Sequence, residues 1–168
     1  MKYFNPIPKT AEELKKMYKK LSLKHHPDVG GTNEAMKTVN AEYTALFEKL
    51  KDIHVNAEGK EYRKSTQETP EQFIEIIDRL IRFDGIVIEI IGSFVWVSDN
   101  TKPYKDELKQ MGFKWSQNKL SWYLAPKDYR RHSKKVYNLD EIRLMFGSQE
   151  VETKPRDKKH YEKLSSTV

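Results

Sequence analysis

The sequence predicts an α+β fold in which a pair of amphipathic helices precedes a small module of helices and short strands. Apolar residues recur at helical spacing over residues 11–50, whereas β-branched and aromatic runs alternate with turn residues over 86–124. A polar stretch without apolar periodicity, residues 54–69, separates the two patterns. We therefore expect a helical hairpin at 1–53, a linker at 54–69, an α+β module at 70–147 and a mobile basic tail at 148–168.

The first helix is predicted to begin near residue 11, because Thr10 and Glu13 have the spacing of a capping box. Residues at helical spacing give it one side that can pack. They are Leu14, Met17, Tyr18, Leu21 and His25. The rest of its surface is cationic, with Lys15, Lys16, Lys19, Lys20 and Lys24.

The tripeptide His26-Pro27-Asp28 should end this helix, since proline lacks the N–H of a continuing helix and disfavours helical geometry in the preceding residue. We expect His26 and Asp28 on an exposed turn. After Gly30 and Gly31, a second helix capped by Thr32 or Asn33 should fold back on the first. Its apolar face comprises Met36, Val39, Tyr43, Leu46, Phe47 and Leu50.

This arrangement of motifs resembles the J domain of DnaJ-type co-chaperones. The segment Leu14–Leu21, the tripeptide at residues 26–28 and the second apolar face look like the second helix, signature loop and third helix of that family. The resemblance covers residues 2–52 and implies docking on a DnaK-type heat-shock ATPase whose ATP hydrolysis the chain stimulates. It implies that the essential contact is His26, Pro27 and Asp28. The adjoining residues, which we call the docking face, are Lys15, Tyr18, Lys19 and Lys24.

The chain departs from the family pattern at three places. Residues 2–8 are too short and too rich in proline for a full first helix, no clear fourth helix follows residue 52, and Val29 stands where a basic residue is commoner. A glycine/phenylalanine-rich linker and a cysteine zinc module are also absent. In the second module, the strand at 92–96, the segment 112–116 and Trp122-Tyr123 resemble small modules appended to J domains in bacteriophage and mobile-element proteins. This resemblance implies a dedicated co-chaperone that directs the ATPase to one unidentified protein client, such as a replication or assembly complex.

Simpler interpretations apply to the same residues. A lone His-Pro-Asp is most often only a helix-ending turn, and a run of lysines is usually a solvated surface. His25 and His26 could suggest a metal, but adjacent helical residues point about 100° apart, and the sequence has no cysteine or nearby further histidine to complete a site. No metal and no cofactor are predicted.

The second module is predicted as a helix, a ββαββ unit and a final helix. Thr69 and Pro70 should start the first helix, and Gly92-Ser93 and residues 116–119 should connect two hairpins. Asn138 or Asp140 should start the last helix, which ends at Gly147 with Leu139, Ile142 and Phe146 buried. The low hydrophobic fraction, 37%, suggests small cores separated by solvated linkers.

The module also supports an alternative function, a nucleic-acid-binding accessory protein in which the hairpin is only a scaffold. Trp115, Trp122, Tyr123 and Tyr129 could stack on bases, although aromatic residues on short strands more often fill a core. A neighbouring basic stretch could follow the phosphates of single-stranded DNA or RNA. The expected contact residues are Lys127, Tyr129, Arg130, Arg131, Lys134 and Lys135.

Composition and the absence of certain motifs limit the functions and locations that the sequence predicts. The net charge of +6 is modest for a nucleic-acid binder, and the absence of cysteine suits a reducing cytoplasm. No apolar run reaches membrane-spanning length and no signal peptide is visible, so we expect a cytoplasmic protein without membrane contact. No nucleophile motif, phosphate-binding loop or paired acidic site is present, which argues against a stand-alone enzyme.

Overall fold

The computed structural model describes residues 1–148 and 151–153, and these form five α-helices and two antiparallel sheets. The predicted α+β class is therefore confirmed. The helices are α1 (Ala11–His25), α2 (Asn33–Leu50), α3 (Pro70–Ile81), α4 (Lys105–Gln110) and α5 (Leu139–Phe146). The strands are β1 (Ile53–Val55), β2 (Glu61–Arg63), β3 (Ile86–Ile91), β4 (Phe94–Asp99), β5 (Lys114–Ser116), β6 (Ser121–Leu124) and β7 (Val151–Glu152).

Helices α1 and α2 pack against each other as the predicted hairpin. The Thr10 hydroxyl accepts a hydrogen bond from the Glu13 N–H at 3.3 Å, which caps α1. Of the two candidate caps for α2, the structure uses Thr32, whose hydroxyl accepts from the Ala35 N–H at 3.2 Å. Residues 1–9 form no helix, but Phe4 is fully buried.

The interval 54–69, which the sequence analysis treats as an unstructured linker, contains a small β-hairpin instead. Strand β1 pairs antiparallel with β2, and His54 of β1 lies 2.7 Å from the Glu12 carboxylate on α1. The Asn56 side chain accepts the Glu58 and Lys60 N–H groups within the turn. Strands of three residues are shorter than the four to eight residues over which an alternating pattern can be recognised, so periodicity does not detect them.

The predicted ββαββ unit is confirmed by β3, β4, α4, β5 and β6. These strands form a sheet in the order β5-β6-β4-β3-β7, in which every pairing is antiparallel. The fifth strand, β7, corrects the expectation that the chain is mobile from residue 148. Thr153 is buried and its N–H donates to the Ile86 carbonyl at 3.0 Å. The rest of the predicted tail, residues 154–168, lies outside the described residues.

The hairpin and the second module share one hydrophobic core. Phe73 of α3 lies 5.9 Å from Tyr18 and 5.8 Å from Tyr43 between ring centroids, so it joins α3 to both helices of the hairpin. The same cluster of buried residues extends through β3 and β4 to Trp122. The expected separate small cores are therefore wrong for the described residues, while the domain boundaries at 54–69 stay a prediction.

Helix α5 is attached to the sheet mainly through polar contacts. Asn138, one of the two predicted starts, caps it by accepting the Glu141 N–H at 2.8 Å. The expected burial of its apolar residues is wrong, because Leu139 and Ile142 are half-buried and Phe146 is 39% exposed. Arg143 instead donates two hydrogen bonds to the buried Glu89 carboxylate of β3, at 2.8 and 2.7 Å.

Candidate functional site at the hairpin corner

The tripeptide forms a tight corner between α1 and α2. His26 has an extended backbone, with φ −65° and ψ 139°, and the following residues, Pro27–Val29, form one turn of 3₁₀ helix. Gly30 adopts φ 94°, and a Cβ on Gly31 would lie 1.8 Å from the His25 carbonyl oxygen. The helix therefore ends where proline was predicted to end it, and the two glycines permit the tight connection to α2.

His26 is only 7% exposed, which corrects the expectation that it is displayed to solvent. Its Nε2 lies 2.7 Å from the Asp78 carboxylate on α3, and its Nδ1 accepts the Asp28 N–H at 3.2 Å. Because Nδ1 is the acceptor, Nε2 carries the hydrogen and donates it to Asp78. The imidazole thus connects the corner to α3 and also holds the backbone of the turn.

The expectation of exposure is confirmed for Pro27 and Asp28. The Asp28 carboxylate lies 3.4 Å from the Arg82 guanidinium, which follows α3, and Arg82 also donates to Asp78 at 2.9 Å. All three side chains are more than a third exposed, so solvent screens these pairs and each contributes little to stability. Asp28 therefore has a partner but remains open to water.

The docking face predicted on α1 is largely covered by the second module. Lys15, Tyr18 and Lys19 are buried, and only Lys24 is exposed. The Lys15 ammonium pairs with Glu68 and lies 5.2 Å from the centroid of the Phe73 ring. The expectation of a solvated lysine surface is therefore wrong for Lys15 and Lys19, whereas burial of Tyr18 agrees with its predicted place on the packing side of α1.

Tyr18 and Lys19 have hydrogen-bond partners inside this contact. The Tyr18 hydroxyl lies 2.8 Å from the Asn40 side-chain oxygen, and burial raises the pKa of Tyr18 to about 12. The Lys19 ammonium donates to the Ile88 carbonyl of β3 at 3.0 Å. Burial lowers the pKa of Lys19 to about 8, although the nearby Glu89 charge acts in the opposite direction.

Three residues of the site were missed by the sequence analysis: Glu68, Asp78 and Arg82. The sequence held one signal for Asp78. It lies four positions after Ile74, so the two share a side of α3, and an acidic residue beside an apolar one on a helix that packs indicates a polar contact with a neighbouring element. Beside these residues, a cavity of about 470 Å³ lies between the ends of α1, α2 and α3. The covered face is thus bordered by an open groove at the corner.

The predicted nucleic-acid contact residues lie on an exposed loop between β6 and α5. Tyr129 is 48% exposed and packs edge-on against Phe94 at 4.7 Å between centroids. The basic side chains around it are exposed as well. They are Lys127, Arg130, Arg131, Lys134 and Lys135.

The aromatic residues of the sheet divide between core and surface. Trp122 is 7% exposed, as expected of a core residue, whereas Trp115 is 43% exposed and Tyr123 is half-buried. Trp96 was not among the predicted aromatic contacts, yet it is buried beside Tyr123 with the Lys119 ammonium 5.7 Å from its ring centroid. Its position between the core residues Val95 and Val97 indicates that it lies on the opposite face of the sheet.

Within residues 1–148 and 151–153, no three histidine or acidic side chains are placed to hold a metal ion. In the same part of the chain, no helix combines the length and apolar character needed to cross a membrane. Comparison of the chain with family models, curated proteins and solved structures found no match.

Proposed function

We propose that this protein is a J-domain co-chaperone that docks on a DnaK-type heat-shock ATPase, stimulates its ATP hydrolysis and directs it to a specific client. The main support is the placement of His26-Pro27-Asp28 at the tip of two paired helices, with the Asp28 carboxylate exposed and the Lys24 ammonium close by in the chain. The chain itself performs no bond chemistry in this proposal.

Asp28 is the principal contact residue in this mechanism. Its carboxylate pairs with Arg82, which is itself exposed, so an arginine of the partner can replace Arg82 in a charge-assisted pair. The hydrogen bond from the Asp28 N–H to the His26 ring holds the backbone of the turn that carries the carboxylate. By binding one conformation of the ATPase better than another, the corner shifts the equilibrium of the ATPase toward the hydrolytic state.

The second module, residues 70–147, selects the client in this proposal. Its exposed aromatic and apolar side chains provide a surface for a protein partner, and Trp115 and Leu120 of the β5–β6 hairpin belong to it. The client is an unidentified protein, such as a bacteriophage replication or assembly complex. This assignment depends on the resemblance to J-domain proteins of mobile elements.

The test is steady-state ATP turnover by a DnaK-type ATPase as increasing amounts of the protein are added. Turnover should rise, and Asp28→Asn should lower the stimulation about tenfold, as expected for the loss of one charged hydrogen bond. His26→Gln should also lower it. Asp106→Asn is the matched control, since it removes one exposed carboxylate far along the chain and should leave stimulation unchanged.

Turnover would contradict the proposal if it stayed flat with the wild-type protein and also with Glu68→Lys, Asp78→Lys. That double variant disrupts the contacts of Glu68 with Lys15 and of Asp78 with His26. Equal stimulation by the wild type and Asp28→Asn would contradict the role given to the carboxylate.

A second candidate function, binding of single-stranded nucleic acid, is favoured by the exposed basic loop around Tyr129.

Fluorescence anisotropy with a labelled single-stranded oligonucleotide should show that the affinity of the protein for the oligonucleotide falls as the salt concentration rises. Arg130→Ala with Arg131→Ala should reduce the slope of log affinity against log salt by about 1.4. The control is Lys60→Ala with Arg63→Ala, which removes two exposed charges from the β1–β2 hairpin. Equal slopes for both double variants would exclude this loop as the binding site.

A further inference from the structure

We propose that residues 68–82, named here the latch segment, are an intramolecular competitor for the docking face, so that the protein is closed until this segment moves away. The inference rests on the proposed function, because it concerns access to the same residues. The latch segment comprises α3 with Glu68 and Thr69 before it and Arg82 after it.

The latch segment meets the docking residues with complementary charges. Glu68 pairs with Lys15 at one end, and Asp78 accepts a hydrogen bond from His26 at the other. At the corner the signs are reversed, because the cation Arg82 faces the anion Asp28. The segment thus supplies the opposite charge, or an acceptor, to three of the residues that a docking partner would need.

Between these polar contacts, the latch segment covers the aromatic part of the docking face. Phe73 packs on Tyr18 and on Tyr43, and the Lys15 ammonium lies over the same Phe73 ring. A partner that binds Tyr18 and Lys15 requires the position that Phe73 occupies. Binding of the partner and binding of the latch segment are therefore mutually exclusive.

The ion pairs at the C-terminal end of the latch segment, around Arg82, are exposed to solvent. The Arg82 pairs join side chains that are more than a third exposed, so solvent screens them and each contributes little to stability. The adjacent cavity of about 470 Å³ leaves the junction between α1, α2 and α3 incompletely filled. Separation of the segment from the corner breaks these exposed pairs and the His26–Asp78 hydrogen bond. The larger cost lies in the shared core, where α3 buries Phe73, Ile77, Leu80 and Ile81.

Covalent attachment adds to the contacts that make the latch segment an effective competitor. A tethered segment behaves as if it were present at roughly millimolar concentration, and burial of Phe73, Ile77 and Leu80 further keeps it bound most of the time. If only a fraction of molecules is open, the apparent dissociation constant of a docking partner rises by the inverse of that fraction. Weakening the latch segment should therefore tighten docking without any change to the docking residues.

The experiment compares two charge variants of the full chain. The opened variant, Glu68→Lys with Asp78→Lys, places positive charge opposite Lys15 and at the Nε2–H of His26. The control, Glu71→Lys with Glu75→Lys, makes the same change in net charge on exposed positions of the same helix. We expect the concentration for half-maximal ATPase stimulation to fall by about fivefold or more in the opened variant, the equivalent of one weak ion pair, and to stay within about twofold in the control.

A second measurement reports opening directly. Lysine acylation followed by mass spectrometry should show faster modification of Lys15, which contacts Glu68 and Phe73, in the opened variant, with the exposed Lys24 as internal reference. Glu68→Gln with Asp78→Asn, which removes charge without reversing it, should give an intermediate rate and keeps the test valid if the charge reversal unfolds the chain.

The outcomes separate the two proposals. Stimulation by the wild type that is no weaker than stimulation by the opened variant overturns the latch and leaves the co-chaperone function standing. Unchanged acylation of Lys15 in both the charge-reversed variant and Glu68→Gln with Asp78→Asn also overturns the latch. Faster acylation without ATPase stimulation by any variant overturns the co-chaperone function and the latch with it.

Discussion

Lys19 shows how a single side chain can have a different environment from the one its sequence pattern suggests. The lysine-rich surface of α1 predicts solvated ammonium groups, yet Lys19 is 1% exposed and donates to the Ile88 carbonyl of β3. Its aliphatic stem allows this burial, because the methylene groups pack while the ammonium finds an acceptor. The cost is the desolvation of a charge, which the lowered pKa of about 8 records.

This burial predicts an unusual dependence of stability on pH. Between about pH 8 and pH 10.5 the unfolded chain holds the Lys19 proton and the folded chain releases it, so the free energy of unfolding gains a contribution that rises with pH. Lys19→Met should remove a contribution on the order of 2 kcal/mol across this window. Urea unfolding of the wild type and the variant at pH 8 and pH 10 measures the difference.

Exposed Lys24→Met is the control for this experiment, because it removes a lysine from the same helix without removing a buried charge. If the wild type and Lys19→Met change equally with pH, Lys19 is solvated in solution.

At the scale of elements, β1 is held to α1 by one polar contact. His54 Nδ1 lies 2.7 Å from a Glu12 oxygen, and the imidazole stacks on Tyr62 of β2 at 5.5 Å between centroids. The hydrogen bond with Glu12 raises the pKa of His54 above its usual value. The short hairpin thus depends on a titratable pair rather than on an apolar face.

The sign of this shift gives a prediction in the neutral range. The stabilisation from protonated His54 is fully present below the unfolded pKa, near 6.5, and is lost as the pH rises through the folded pKa. His54→Gln should therefore destabilise the protein by about 1 kcal/mol at pH 5.5 and by less at pH 8. Thermal unfolding at both pH values tests this, with exposed His132→Gln as control. A penalty that does not shrink at pH 8 would show that the charge is not involved.

At the scale of the whole molecule, α3 makes one core out of two sequence patterns. Phe73 and Ile77 of α3 are buried together with Tyr18 and Tyr43 of the hairpin and with Ile86 and Ile88 of the sheet. Neither the helical hairpin nor the sheet buries its apolar face without this helix. Stability should therefore be shared between the two parts.

The substitution Phe73→Ala tests whether the helical hairpin and the sheet depend on the same core for their stability. The substitution should lower the free energy of unfolding by about 3–5 kcal/mol, the usual cost of removing a buried phenylalanine. Hydrogen exchange should show faster opening of the α2 amides and of the β4 amides, because both contact the same core. Faster exchange in α2 alone would mean that the sheet is stable without the hairpin.

The extent of successful prediction differs between local and long-range features. The caps at Thr10 and Asn138, the helix end at Pro27 and the β-hairpin at Gly92 depend on neighbours a few residues away, so the sequence predicts them. Strands β1, β2 and β7 were missed because each is three residues or shorter. In addition, β7 pairs with the distant β3, and β1 contacts the distant Glu12 through His54. At the site, Pro27 and Asp28 are exposed as predicted, but His26 is not.

The sequence by itself determined the α+β class, the paired helices and the corner at His26-Pro27-Asp28, because helical period and proline geometry act within a few residues. Only the tertiary structure decided that Lys15, Tyr18 and Lys19 are covered. Burial of that face depends on Glu68, Phe73 and Ile88, which lie more than 50 residues further along the chain than the residues they cover. Local patterns carry no information about which of two competing surfaces a later helix will cover.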